Sequence, residues 1–165
     1  MLPVASAATE KLSAILASKN GIAASIAALS ADQGLVLPAI TQQQIIPQNV
    51  ASELSERSVA SKYPLIYVYC SKLANTLREK FRTFSGEAHM VVEARVSQDR
   101  LEQTETFLHA YADVITQVLD QNRGDWGDGV FYGGGYEVAF GGVKQGGRNF
   151  IQTAKVTLAL EISAD

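Results

Sequence analysis

Few residues in this chain of 165 are suited to nucleophilic, acid-base or metal chemistry: two histidines, His89 and His109, and a single cysteine, Cys70. A cysteine nucleophile acts as a thiolate, exposed beside a base. Cys70 ends the run Leu65-Ile-Tyr-Val-Tyr-Cys70, an apolar setting that suits a small buried residue better than a reactive one. A metal ion draws several His, Cys or carboxylate ligands to one point, and neither histidine has such companions at ligand spacing. His89 falls on the more polar face of an alternating segment, His109 beside the apolar stripe of a helical one. The chain is therefore read as non-enzymatic, with no catalytic residue, no metal and no cofactor.

Glycine is the next candidate, because ten of the thirteen glycines lie between Gly124 and Gly147. A phosphate-cradling loop follows a strand and opens a helix. These glycines lie before and between strand-like runs, and no Gly-Lys-Ser or Gly-Lys-Thr occurs. They suit a long hairpin that bends, bulges and is ordered by a partner. Arg123-Gly-Asp125 resembles an integrin tripeptide, which three residues alone do not support. Lys144 and Arg148, with Trp126, Tyr132 and Tyr136 nearby, form a candidate contact patch, since aromatic residues and arginine anchor interfaces. Trp126 serves equally well as a core plug at the end of a helix.

Charge is also segregated. Asp99, Glu102, Glu105, Asp113, Asp120, Asp125 and Asp128 make one stretch acidic, while Lys72, Arg78, Lys80 and Arg82 make an earlier connection basic. Two readings stay open: a solvated surface, or patches that meet across subunits of a ring, with Arg78 and Arg82 at the contact.

The elements that position these residues follow from periodicity. Ala7 to Ser30 repeats Leu12, Ile15, Leu16, Ile22, Ile26 and Leu29 at three- and four-residue steps, a helix interrupted at Asn20-Gly21. Ala31 to Pro64, which carries Gly34, Pro38, Pro47 and Pro64, is expected to hold only a short strand near Ile40 to Ile46 and a helical turn from Val50 to Arg57. Leu65 to Cys70 is a β-branched and aromatic run, expected as a central strand. Ser71 to Phe84 is either helical or a bent connection. Ala88, Met90, Val92, Ala94 and Val96 alternate with His89, Val91, Glu93 and Arg95, predicting a strand with one wet face. Ser97 to Asn122 is the strongest helix and Gly124 ends it. Gly129 to Phe140 and Phe150 to Ile162 are expected to form an antiparallel hairpin that closes the sheet. The fold class is α+β: a mostly antiparallel sheet with one long helix on a face, plus an N-terminal helical segment. Residues 1–62 form an elaboration and residues 63–165 the core of one compact domain.

Composition agrees with a soluble, non-membrane chain that buries roughly two-thirds of its unfolded surface. No uninterrupted apolar run spans a bilayer, the first residues lack a signal-like leader, and a lone cysteine suits a reducing compartment. A net charge of −3 disfavours wrapping nucleic acid, which requires a dense basic surface.

Tyr63-Pro-Leu-Ile-Tyr-Val-Tyr69, the alternating Ala88 to Val96 strand, the long helix Leu101 to Leu119 and the closing hairpin ending Val156-Thr-Leu-Ala-Leu-Glu-Ile162 stand in an order with a known counterpart. The segment from Tyr63 to Ile162 resembles tailed-phage tail-terminator and head-tail joining proteins. The resemblance implies a homo-oligomeric ring, usually hexameric, that caps the tail tube, meets the head connector and lets DNA pass through its lumen without gripping it. It implies a place in the virion neck, with assembly in the host cytoplasm. Rival readings are a head-completion or tube protein, or a cytosolic ligand-binding or enzymatic domain with a pocket of Asp125, Asp128, Tyr132 and Arg148.

Overall fold

Two long alternating segments organise the molecule. In the computed structural model, which describes residues 3–51, 63–146 and 149–165, β3 (Phe84–Gln98) and β8 (Asn149–Ala164) pair antiparallel along their whole length, from Phe84 opposite Ala164 to Gln98 opposite Phe150. This register sets Ala88, Met90, Val92 and Ala94 beside Leu160, Leu158, Val156 and Ala154, all buried on one face. Each larger apolar side chain removed from water there contributes about 1.5 to 3 kcal/mol. Around this pair the sheet runs β1-β2-β3-β8-β5-β4, with β1 (Ile45–Ile46), β2 (Leu65–Ala74), β4 (Gly124–Gly127) and β5 (Val130–Tyr132). β6 (Tyr136–Phe140) and β7 (Lys144–Gly146) also pair with β8. Every pairing is antiparallel except the two-residue β1–β2 contact.

The helices cover the apolar face. α1 (Val4–Ala17) contributes Ala8, Leu12 and Leu16, α2 (Ile22–Gln33) contributes Ile22 and Ile26, and α3 (Leu101–Gln121) contributes Leu108, Tyr111, Ile115, Val118 and Leu119. The chain is thus an α+β fold with a long helix on a mostly antiparallel sheet and a bent helical segment before it. The residues expected as an elaboration supply Ala8 through Ile45 to the same apolar cluster that holds Ile66, Val92 and Ile162. By length and composition, Val4–Gln33 is apolar enough to cross a membrane, with a mean hydropathy of 1.4. It is bent, however, between α1 and α2. Gly21 caps α2 where a Cβ would come within 2.3 Å of the Leu16 carbonyl oxygen, so only glycine fits the corner.

Several expectations change. The hairpin pairing after α3 holds, but its expected first strand, Gly129 to Phe140, is broken into β5 and β6 at Gly133–Gly135, and a further strand, β7, pairs with β8 beyond Gly141–Gly142. β8 does not close the sheet at an edge; it lies inside, with β3 on one side and β5, β6 and β7 on the other. β2 continues past Cys70 to Ala74 through a bulge, and among the described residues its outer side pairs only with the two-residue β1, so it is not central along its length. Residues 75–83 form a loop without helix. β3 extends through Gln98 and α3 starts at Leu101 behind Arg100, later than the sequence pattern places it. The Ile40 to Ile46 strand shrinks to Ile45–Ile46 after a 3-10 turn at Gln42–Gln44. Most of the expected Val50 to Arg57 turn lies outside the described residues.

The β2–β3 hairpin closes tightly at its base. A Cβ on Gly86 would come within 1.8 Å of the Ala74 carbonyl oxygen, a backbone atom that cannot step aside. Gly86→Ala is expected to lower unfolding stability by about 2 kcal/mol or more, read as a lower urea midpoint at unchanged slope. A midpoint equal to that of the parent chain would show that the hairpin base opens freely.

Candidate functional site

The largest departure from the sequence reading is on the second face of the sheet. Alternation assigns Val91, Glu93 and Arg95 to a wet face, yet all three are buried. Glu93 sits in a cross-strand row between Tyr67 and Lys155. Arg95 lies diagonally beside it, its Nη2 donating to Glu93 Oε2 at 2.7 Å and its guanidinium 4.1 Å above the Tyr67 ring. Lys155 Nζ stands 3.9 Å from the other carboxylate oxygen. Arg95 also donates to the Val50 carbonyl, which ties the end of the N-terminal region to this face. Opposite charges two apart on one strand, facing an aromatic and a lysine on its neighbours, were a readable signal for this cluster once register was known.

Nearby groups respond to the same setting. Burial raises the Tyr69 phenol above its ordinary value, the Glu93 carboxylate raises it further, and Arg95 opposes both. Cys70 is half-buried rather than fully buried, with its Sγ 3.5 Å from the Lys72 carbonyl. Burial pushes its thiol up, partly offset by a hydrogen-bonding contribution from the Lys72 backbone, a setting that disfavours the nucleophilic thiolate. His89 pairs with Glu87 at 3.5 Å, and His109 is an exposed residue standing edge-on to Phe140 with ring centroids 4.7 Å apart. Among the described residues no three His, Cys, Asp or Glu side chains converge to hold a metal ion.

The contact residues chosen from sequence separate into an inner and an outer group. Trp126 plugs the end of α3: its indole N–H donates to the Asn122 carbonyl at 2.7 Å, and its ring lies 5.5 Å from that of Tyr132. Tyr132 is fully buried and its hydroxyl donates to the Gly135 carbonyl, so in the single chain it is a core residue. Tyr136 and Lys144 are exposed on β6 and β7. Arg148 lies outside the described residues. Arg78 and Arg82 lie on the β2–β3 loop, where Arg82 pairs with Asp165. In the Arg123-Gly-Asp125 tripeptide, Arg123 pairs with Asp120 and Asp125 accepts from the Gly127 amide, which is local capping of the turn after α3.

Sequence reasoning missed the apolar surface. Phe81 is 96% exposed and Leu77 66%, both on the β2–β3 loop, and Phe131, Phe140 and Val143 are exposed along β5 to β7. Two grooves accompany them. One, of about 770 Å³, lies between α1 and the end of β8; its Lys11–Asp128 and Arg82–Asp165 pairs are already internally satisfied. The other, of about 730 Å³, crosses β2, β3, β8 and β6 on the second face.

No family model matches the chain, and no curated protein matches it. What the arrangement can do must therefore be taken from its own geometry.

Arg95→Met strips the buried Glu93 of its nearest cation and is expected to cost about 3 to 5 kcal/mol. Combining it with Glu93→Leu is expected to cost less than Arg95→Met alone, since no buried charge is then left behind; urea denaturation of the set measures this, and a larger loss in the double variant would contradict it. Two phenols give an alkaline counterpart. Burial, aided by Asp120, pushes Tyr132 up to about 12, and burial alone pushes Tyr111 higher still. Unfolded tyrosines titrate near an ordinary value of about 10, so the unfolded state loses these protons first. Stability is then fully present below about pH 10 and falls as pH rises towards 12. Tyrosinate absorbance is expected to show two phenols that ionise only when the chain unfolds.

Proposed function

We propose that this chain is a structural subunit of a tailed-phage particle, one that assembles into a ring at the neck, ends the tail tube and meets the head connector. The observation that carries the reading is the exposed apolar side chains on strand and loop surfaces that the fold itself does not use. Phe81, Leu77, Phe131 and Phe140 stand in solvent on the single chain, and the outer side of β2 beyond Tyr67 pairs with no described strand. Unpaired strand edges and clustered apolar surface are where chains associate. The order of elements after Tyr63, which resembles tail-terminator and head-tail joining proteins, supports the same reading. So does an acidic net charge of −3, which suits a lumen through which DNA slides without being gripped.

A ligand-binding domain is the second reading, favoured by the 770 Å³ groove beside α1. That groove has Asp128 on its wall but neither Asp125 nor Tyr132.

The mass of the purified chain by light scattering, followed by negative-stain imaging, tests the proposal. Closed rings of five to seven copies, usually six by the resemblance, are the expected outcome. A chain that stays monomeric at its highest soluble concentration, and that binds neither tail tubes nor connectors, would overturn it in favour of the groove reading.

A further inference from the structure

Two strand edges flank the β3–β8 pair, one on each side, and their side chains are sorted by face in the same way. On one side, β1 pairs with β2 only at Ile66 and Tyr67, and from Val68 to Ala74 the outer edge of β2 pairs with no described strand. On the other side, β6 pairs with β8, and its second edge pairs with no described strand. Register assigns the faces. Cys70 and Leu73 stand opposite Met90 and Ala88, while Tyr136, Val138 and Phe140 stand opposite Leu158, Val156 and Ala154, so all five belong to the helix-covered face. The ring of Phe140 meets His109 of α3 edge-on, as that face requires. Lys72 and Glu137 stand opposite His89 and Thr157, on the other face.

Each edge leaves apolar side chains uncovered on the helix-covered face: Leu73 is 41% exposed, Tyr136 38% and Phe140 48%. On the other face each edge carries an exposed charge, Lys72 on β2 and Glu137 on β6, and neither has an ion-pair partner among the described residues. An edge lysine and a bulge, here between Cys70 and Lys72, guard a strand against indiscriminate pairing. The guard is selective. Two β2 edges would gather lysines and two β6 edges glutamates, whereas β2 against β6 joins opposite charges. Strand direction agrees as well, because direction alternates across β2, β3, β8 and β6. A second copy set beside the first in the same orientation therefore brings its β2 antiparallel to β6, with the helix-covered faces on the same side.

We infer that β6 of one copy pairs antiparallel with the free edge of β2 in the next copy of this chain, Glu137 opposite Lys72 and Tyr136 opposite Leu73. The inference rests on the ring reading and names the contact that builds the ring. Backbone hydrogen bonds supply the attraction, the apolar side chains cover one another on the helix-covered face, and the charge pair on the other face sets the register. The two edges lie on opposite sides of one sheet, so their contact is head-to-tail. Such a contact repeats from copy to copy and closes if the rotation permits. A symmetric pairing of identical edges would stop at a dimer.

Cysteine cross-linking of the full chain tests this, with Cys70→Ser to remove the native thiol. One chain carries Lys72→Cys and another Glu137→Cys; both positions are exposed, and circular dichroism and thermal melting establish that each variant is folded. Within one chain the two positions are separated by three strand spacings, about 14 Å, which is beyond disulfide reach. Opposite residues of the inferred pair would have Cα atoms about 5 Å apart. Under mild oxidation the mixture is expected to give the mixed dimer in about tenfold excess over either homodimer. Charge reversal in the chain that keeps Cys70 gives a second measurement. Lys72→Glu and Glu137→Lys are each expected to weaken self-association about tenfold, and the two together to restore it, because the pair is then reversed. If the parent forms rings but the mixed disulfide does not form, or the double reversal restores nothing, the edge pairing is wrong although the ring reading survives. If the parent chain itself is monomeric at every concentration, the pairing fails together with the ring it would build.

Discussion

The pairing of β3 with β8 is the interaction on which the rest of the structure depends. It brings two segments distant in sequence into one ladder and fixes a register in which every second residue of both faces the helices. A slip of one residue would turn Met90, Val92, Leu158 and Leu160 to the other face and bring Glu93, Arg95, Lys155 and Glu161 under α3. The core would then hold uncompensated charges, so the register is enforced by the cost of the alternative as well as by the gain of the native one. α1 and α3 pack on the face so created, and β6 and β7 pair with the far side of β8, as does β5, which also pairs with β4.

Much of this was legible because the signals were periodic. Leu108, Tyr111, Ile115, Val118 and Leu119 mark the buried stripe of α3, and the run from Ala154 to Ile162 alternates without interruption between buried and more exposed positions. The break between α1 and α2 followed from an Asn-Gly pair, although the glycine caps the second helix rather than ending the first. What could not be read was anything set by neighbours far along the chain. Glu93 and Arg95 have the polarity of a wet face, and their mutual pairing, the cross-strand positions of Tyr67 and Lys155 and the Val50 carbonyl make their burial tolerable. Trp126 and Tyr132 have the composition of interface anchors, yet the turn after α3 brings them inward against each other. Phe81 carries no sign in the sequence of being the most exposed aromatic, because its exposure comes from a left-handed backbone within an irregular loop.

The two faces of the sheet therefore differ in kind. One is a conventional apolar interior roofed by helices. The other combines a buried ion pair, a stacked tyrosine and an open groove with charged walls. Burying charge seldom adds net stability over a well-packed apolar substitute, but it does specify which partners fit: Glu93 accepts only a cation nearby, and Arg95 anchors the Val50 carbonyl against this face. The groove from Lys72 across to Glu137 lies beside this buried cluster on the same face.

The place of β8 in the sheet also bears on how the chain is made. The strand that completes the ladder follows all the other described elements in sequence, yet it lies between β3 and β5 rather than at an edge. A nascent chain emerging from the ribosome can form α1, α2, the β2–β3 hairpin and the β4–β5 pair early, while β6 and β7 must wait for residues 149–164 before they have a partner among the described strands. Until then β3 presents a full unpaired edge, and its apolar face lacks the half of its lining that β8 provides. Folding of this sheet consequently waits for β8, and a chain cut within β8 would leave an adhesive sheet rather than a shortened domain.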